Sequence, residues 1–345
     1  MENDVTAAAS LSVIMPVYNG VGMIERCLDA LNASDLKAHE IIVVDDCSTD
    51  DSAAVARERG AKVLKTPKNM GPAGARNLAA EQAVGSVLLF VDADVVVEKS
   101  TLRKFAARFD EDPALAALFG SYDDAPAETN FLSQFKNLQH HYVHQTSNQE
   151  ASTFWAGLGG VRRDVYTKVG GFDCRKFEVP SIEDIELGVR LRAAGYRILL
   201  DREITAKHLK KWKFVNLLKT EVFSRAIPWS KLIVTSQGLI NDLNLKTNDR
   251  LSAVLVALSL LLVPLSVVQP WLLIAFVFCI AGIAVLNRRI LGFFLRKKGV
   301  LFALGAYAWH YLYFFYSGAA FGYCWLRYGL APSLGFGNKA ETGST

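Results

Sequence analysis

The chain has 345 residues, room for about two domains at roughly 150 residues each. Its 38 Lys and Arg against 34 Asp and Glu leave a net charge of +4, which excludes the one-sided basic field of a nucleic-acid binder. The 51% hydrophobic content is uneven: residues 1–250 read as a soluble protein and residues 251–326 do not. The five cysteines, Cys27, Cys47, Cys174, Cys279 and Cys324, are odd in number and form no Cys-x-x-Cys pair. They read as reduced thiols, so the soluble part is expected to face a reducing compartment. Met1 to Ser10 is polar and acidic, without the pattern of a signal peptide, and membrane insertion is expected from the C-terminal third.

Apolar runs alternate with helical patterns through the first 120 residues. Leu11–Val17 reads as a strand, Val21–Leu31 as an amphipathic helix and Glu40–Val44 as a second strand. A helix over Ser52–Arg59, a short strand at Ala61–Leu64 and a helix over Ala73–Ala83 follow. Val87–Val91 is a buried strand that ends at Asp92 and Asp94, two carboxylates one residue apart. This alternation implies βαβ units and a parallel sheet with helices on both faces. Ligands of such sheets sit beyond the carboxyl ends of the strands. The polar clusters fall there, at Pro16–Asn19, Asp45–Asp50 and Asp92–Asp94. Paired carboxylates beside a core either end a strand in a polar turn or hold a divalent cation that carries phosphates.

Residues 129–146 space Phe131, Phe135, Leu138 and Tyr142 as an amphipathic helix. Its other side holds His140, His141 and His144, expected to face solvent or substrate in preference to a metal. Residues 182–195 read as a helix stopped by Gly195. Lys207–Val234 mixes lysines and Arg225 with Trp212, Phe214, Phe223 and Trp229, as helices lying in a membrane interface do. Three uncharged apolar stretches follow: Leu251–Val268, Trp271–Leu286 (270–286 with the turn proline) and Val300–Leu326. About 20 apolar residues span a bilayer, so three crossings are expected. The connector Asn287–Gly299 holds Arg288, Arg289, Arg296, Lys297 and Lys298, which places it with the catalytic part in the cytoplasm and the C-terminus outside. His310 in the third stretch reads as a helix-packing residue.

Four motifs in order, Ser12–Asn19, Ile42–Asp50, Asn69–Asn77 and Phe90–Asp94, resemble those of family 2 glycosyltransferases of the GT-A fold. Gly170-Gly171-Phe172-Asp173 and Glu183-Asp184 are similar to that family's acceptor-side motifs. The resemblance covers about residues 10–210 and implies an α/β catalytic domain with a mostly parallel sheet, an inverting transfer and a nucleotide-sugar donor. A UDP-sugar is favoured, with a GDP-sugar as the alternative. By the same resemblance Pro16 and Tyr18 line the nucleobase pocket, and Asp46 accepts hydrogens of uracil or ribose. Asp46 read alone is a turn aspartate capping Ser48. Gly71 to Gly74 let backbone approach a ligand at a helix start, where free N–H groups suit an anion. Arg76 adds a charged contact to the donor or pairs with a carboxylate. Asp92 would hold ribose or metal, and Asp94 a Mg²⁺ or Mn²⁺ bridging the diphosphate, with His208 as a further ligand.

Asp184 is the candidate general base, since an inverting transfer needs one carboxylate to take the acceptor hydroxyl's proton. Glu183, Trp155, Arg225 and Trp229 are assigned to the acceptor side. Processive synthases of the family carry Gln-x-x-Arg-Trp on an interface helix, and here Arg225 and Trp229 are not adjacent. Single transfers to a membrane lipid, such as a polyprenyl phosphate or a glycolipid, are therefore expected. A polymer-exporting synthase and a non-catalytic nucleotide-binding scaffold are the alternatives. Gly157-Leu158-Gly159-Gly160 lacks the third glycine of a dinucleotide fingerprint. The expected organisation is a cytoplasmic catalytic domain (1–210), interface helices (211–250), transmembrane helices (251–330) and a tail (331–345), placed in the cell membrane.

Overall fold

A computed structural model describes residues 8–177, 180–235 and 246–330. The chain divides into two compact units, Met1–Trp212 and Lys213–Thr345. The expected tail (331–345) and part of the expected interface segment (236–245) lie outside the described residues.

The first unit runs β1 (Leu11–Val17), α1 (Val21–Asn32), β2 (Glu40–Asp45), α2 (Ser52–Glu58), β3 (Lys62–Lys65), α3 (Gly71–Gln82) and β4 (Val87–Val91). It continues with β5 (Val95–Val97), α4 (Thr101–Glu111), β6 (Leu115–Tyr122), α5 (Phe131–Thr146), β7 (Leu158–Arg162), α6 (Arg163–Lys168), α7 (Glu183–Ala193) and β8 (Arg197–His208). One sheet orders the strands β3-β2-β1-β4-β7-β6-β8-β5.

The sheet is mixed: four strand pairings, β6 with β8 among them, are parallel as expected, and three are antiparallel. β3, β2, β1 and β4 are parallel, as the βαβ alternation requires. β7 then enters antiparallel between β4 and β6, and β5 pairs antiparallel with the end of β8. The β4 run is wholly apolar because it is buried on both faces. Val87, Leu89 and Val91 join the core beside α1 and α4, while Leu88 and Phe90 join the core beside α3 and α7.

α7 reaches its place through one glycine. A Cβ on Gly188 would lie 2.2 Å from the backbone N of Phe154. Gly188→Ala is expected to force α7 off the 153–154 backbone and to lower stability by about 1–3 kcal/mol or more. Thermal melting of the purified chain checks this; an unchanged melting temperature would show that α7 is not seated this tightly.

The second unit holds α8 (Phe214–Lys219), a π-helical turn (Thr220–Ala226) and α9 (Ile227–Thr235). It continues with α10 (Thr247–Leu265), α11 (Leu272–Leu286), α12 (Arg288–Lys298) and α13 (Val300–Cys324), ending in a second π-helical turn (Trp325–Leu330). Val256, Ile283 and Phe314 pack together inside it, and polar pairs lie among its helices: Asn287 Nδ2 donates to Ser252 Oγ at 2.9 Å, and the Ser259 and Tyr311 hydroxyls lie 2.7 Å apart. Large apolar side chains point out, among them Leu261, Ile274, Phe278 and Leu301.

Three full spans are not what this unit presents. Among the described residues, Thr247–Leu265 alone is a single helix long and apolar enough to cross a membrane. Leu272–Leu286 and Arg288–Lys298 meet that test only as a pair, and they are bent by 71°. α13 is long enough, but its tyrosines, glycines, Trp309 and His310 dilute its hydropathy. With one or two crossings in place of three, an outside C-terminus no longer follows from the basic connector.

Candidate active site

The residues singled out in the first unit gather where β1, β2, β4 and β8 end. At the tip of β4, the Ala93 carbonyl accepts from the buried Cys27 thiol at 3.2 Å, and the Asp94 carbonyl accepts from the Leu209 N–H at 2.8 Å. The Asp92–Asp94 turn is thus pinned from two sides. β7 brings the Trp155–Gly157 segment alongside it. The Asp92 N–H donates to the Gly157 carbonyl at 3.1 Å, and the Ala156 N–H donates to Asp184 Oδ2 at 3.1 Å. Two adjacent residues therefore hold the strand-end aspartate and the candidate base together.

Arg76 is the ionic centre. It is 4% exposed. Its Nη2 lies 2.6 Å from Asp92 Oδ1, its Nη1 lies 3.1 Å from Glu183 Oε1, and its guanidinium sits 5.4 Å from the Phe172 ring centre. Glu183 is itself buried and spends its second oxygen on the Ser181 N–H at 2.9 Å. Arg76 and Glu183, expected at donor and acceptor, are here committed to each other and to Asp92. Next in sequence, Asn77 clamps the Gly-Gly-Phe-Asp loop. It donates to the Phe172 carbonyl at 2.8 Å and accepts from the Phe172 N–H at 3.0 Å. Gly171 has φ +63°, and a Cβ there would meet Asn77 Oδ1 at 2.8 Å, so the loop requires glycine at that point.

The carboxylates differ in their surroundings. Burial and the neighbouring Glu183 charge push Asp184 up to about 7. Burial also raises Asp92, against the pull of Arg76. Burial acts on Asp94 in the same sense, but the hydrogen bond and charge of His208 outweigh it and hold Asp94 below its ordinary value.

His208 Nε2 lies 3.5 Å from Asp94 Oδ2. A carboxylate and an imidazole converging on one spot suit Mg²⁺ or Mn²⁺ whose remaining positions are filled by phosphate oxygens and water. Asp92 Oδ1 is taken by Arg76, and no three of His, Cys, Asp and Glu form a metal cage among the described residues. Asp94 and His208 are the two side chains that could hold such a cation together.

Of the residues expected to meet the donor, Tyr18 is 56% exposed beyond β1, and Pro16 lies within β1 opposite Val44. Asp46 is buried. Its Oδ1 accepts from the Thr66 hydroxyl and the Met70 N–H, each at 2.8 Å, and its Oδ2 from the Gly71 N–H at 2.8 Å. The cap on Ser48 comes from Asp45 Oδ1, at 2.8 Å. Asn19 and Cys47 hold φ +51° and +66°, uncommon for residues with a Cβ, and Asn19 Oδ1 accepts from the Thr49 N–H at 2.8 Å.

Trp155 is half-buried, and a Cβ on Gly157 would lie 2.5 Å from its ring. Of the α5 histidines, His140 and His141 are half-buried and only His144 is fully covered, so the expected fully solvated face is corrected for His144. His144 is buried with Nδ1 at 3.0 Å from the Gly120 carbonyl, and the His140 ring packs on Tyr122 and Trp155. The helix pattern located them, but only the sheet behind α5 decides which side is covered. Tyr122 was missed. Its signal was an apolar run, Leu115–Tyr122, ending at Asp123-Asp124 much as β4 ends at its aspartates. Arg225 and Trp229 belong to the second unit, where Arg225 Nη1 lies 2.7 Å from Glu221 Oε1 and Trp229 is half-buried in α9.

Comparison with known proteins bears on the family and the fold. The family model described as Glycosyl transferase family 2 matches residues 12–170. The poly(ribitol-phosphate) beta-N-acetylglucosaminyltransferase TarS of Staphylococcus aureus is 39% identical over 107 residues, 29% of this chain. That match spans only 19% of the relative's length, about a fifth. An uncharacterized Mycobacterium tuberculosis protein is 35% identical over 215 residues, 57% of this chain and 66% of its own. The structure of the mannosyltransferase PcManGT of Pyrobaculum calidifontis, in complex with GDP-Man and Mn²⁺, superposes with a TM-score of 0.54 over 93% of this chain and 87% of that one. Its sequence identity is 17%, so the likeness is one of fold. Residues 12–170 of this chain are thus similar to a glycosyl transferase family 2 domain.

Proposed function

We propose that the chain is an inverting glycosyltransferase that moves a sugar from a nucleotide-sugar, a UDP-sugar in the first instance, to a membrane lipid or lipid-linked acceptor. The observation that carries the reading is the pair of bonds at Ala156 and Gly157, which sets Asp184 beside the Asp92–Asp94 turn. Asp184 takes the proton of the acceptor hydroxyl as that oxygen attacks the anomeric carbon, and the bond from that carbon to the donor's phosphate oxygen breaks on the opposite side. The raised affinity of Asp184 for a proton suits a base working near neutral pH. Mg²⁺ or Mn²⁺ held by Asp94 and His208 would offset the charge on the departing nucleoside diphosphate. Arg76 and Glu183 keep Asp92 and the start of α7 in place. The lipid acceptor and a cell-membrane location, with the catalytic unit on the cytoplasmic side, rest on the apolar exterior of the second unit and on α10.

The test is transfer from a panel of labelled nucleotide-sugars by detergent-purified protein with Mn²⁺ and a total lipid extract. Label is expected in the organic phase, lost on chelation and in Asp94→Asn. Transfer that survives both would overturn the metal-dependent reading. Label in a long aqueous polymer would replace single transfers by synthesis of a polysaccharide.

A further inference from the structure

The reading above gives His208 a task but does not say what aims it. The ring stands at the end of β8, opposite Val95 in the register of β5 and β8. Its Nε2 reaches toward Asp94 across 3.5 Å. The face of the imidazole is covered by Tyr122, with ring centres 4.2 Å apart and planes inclined by only 11°. Tyr122 in turn has the His140 ring at 4.3 Å and the edge of Trp155 at 4.9 Å. Its backbone is fixed as well, because the Tyr122 carbonyl lies 2.8 Å from His141 Nδ1. The stack therefore starts on α5 and the Trp155 segment and ends on the imidazole beside Asp94.

We infer that Tyr122 is a positioning residue for the cation site: its ring fixes the plane of His208 so that Nε2 and Asp94 face the same point. An imidazole on a strand end can turn about its side-chain bonds, and turning it would point Nε2 away from Asp94. A ring stacked within 11° removes that freedom, as neighbours of metal-ligating histidines do by other means. The aromatic face of Tyr122 is what the geometry uses. This inference rests on the proposed role of Asp94 and His208.

The experiment is Mn²⁺ binding, followed by electron paramagnetic resonance of free Mn²⁺ with full-length protein in detergent, in the presence of UDP. Tyr122→Phe keeps the ring and is expected to bind Mn²⁺ within about twofold of the unaltered chain. Tyr122→Leu is expected to weaken binding by about tenfold, the scale at which a neighbour of a metal ligand acts. Tyr122→Met, of similar bulk without a ring, gives the same reading if the leucine variant does not fold. In a His208→Ala background the Tyr122 substitution is expected to add nothing, because its effect passes through His208. Unchanged Mn²⁺ affinity in the ringless variants, or an undiminished effect in the His208→Ala background, would overturn the inference. Unchanged affinity in His208→Ala alone would instead remove the metal role of His208 on which it rests.

Discussion

Asp184→Asn is expected to reduce transfer by about 10²–10⁴-fold, the usual worth of a positioned general base. Donor binding should change little, because Asp184 contacts the Ala156 and Ile185 amides and none of the groups at the donor end. The unaltered enzyme should show an acid limb in kcat/KM near pH 7, with activity rising with pH as Asp184 loses its proton. Stability runs the other way. A carboxyl that holds its proton more tightly when folded favours folding below its ordinary range, and that advantage is lost as pH rises from there through about 7. Asn carries no charge to desolvate, so Asp184→Asn should melt higher than the parent at pH 8 while transferring almost nothing. Steady-state rates and melting curves at pH 6 and pH 8 check both halves. A variant that is inactive but less stable at pH 8 would mean that Asp184 is held for structure and not for chemistry.

The second large effect belongs to Arg76. Arg76→Met leaves Asp92 and Glu183 facing each other without their shared cation, and removing one partner of a buried charge pair costs about 3–5 kcal/mol. The expected result is a strongly lowered melting temperature together with loss of transfer. Glu183→Gln added to Arg76→Met should recover part of the stability, because it removes one of the stranded charges. Recovery without return of transfer would separate the fold-holding part of the network from its hold on Asp92. Full additivity of the two substitutions would show that Arg76 and Glu183 do not act as a pair.

Local pattern carried far in this chain. The runs at Leu11–Val17 and Val87–Val91 form strands with the bounds their apolar character implied, and the helix after Gly71 starts two residues before the alanine where the pattern placed it. These elements announce themselves because burial on both faces demands uninterrupted apolar residues. Strand order past β4 was not legible, since the antiparallel entry of β7 is decided by pairing between segments far apart in sequence. The site divides in the same way. Asp92, Asp94 and Asp184 stand out as motif carboxylates, but the partner of Arg76 lies 107 residues away at Glu183, a distance no local pattern spans. The histidines of α5 show the limit most plainly. Helical spacing put them on one side, and only the Tyr122 and Trp155 rings made that side an interior.

Asp46 has a consequence for how donor preference can change. Its carboxylate already ties Thr66, Met70 and Gly71 together, so it anchors the start of α3, and with it Arg76. A substitution at Asp46 would loosen that anchor before it could retune any contact with a nucleobase. Evolution or an engineer seeking a different nucleotide has a freer hand at Tyr18, which stands exposed beyond β1 and carries no such duty within the fold. If both residues meet the donor as proposed, the buried aspartate is the poor dial and the exposed tyrosine the adjustable one.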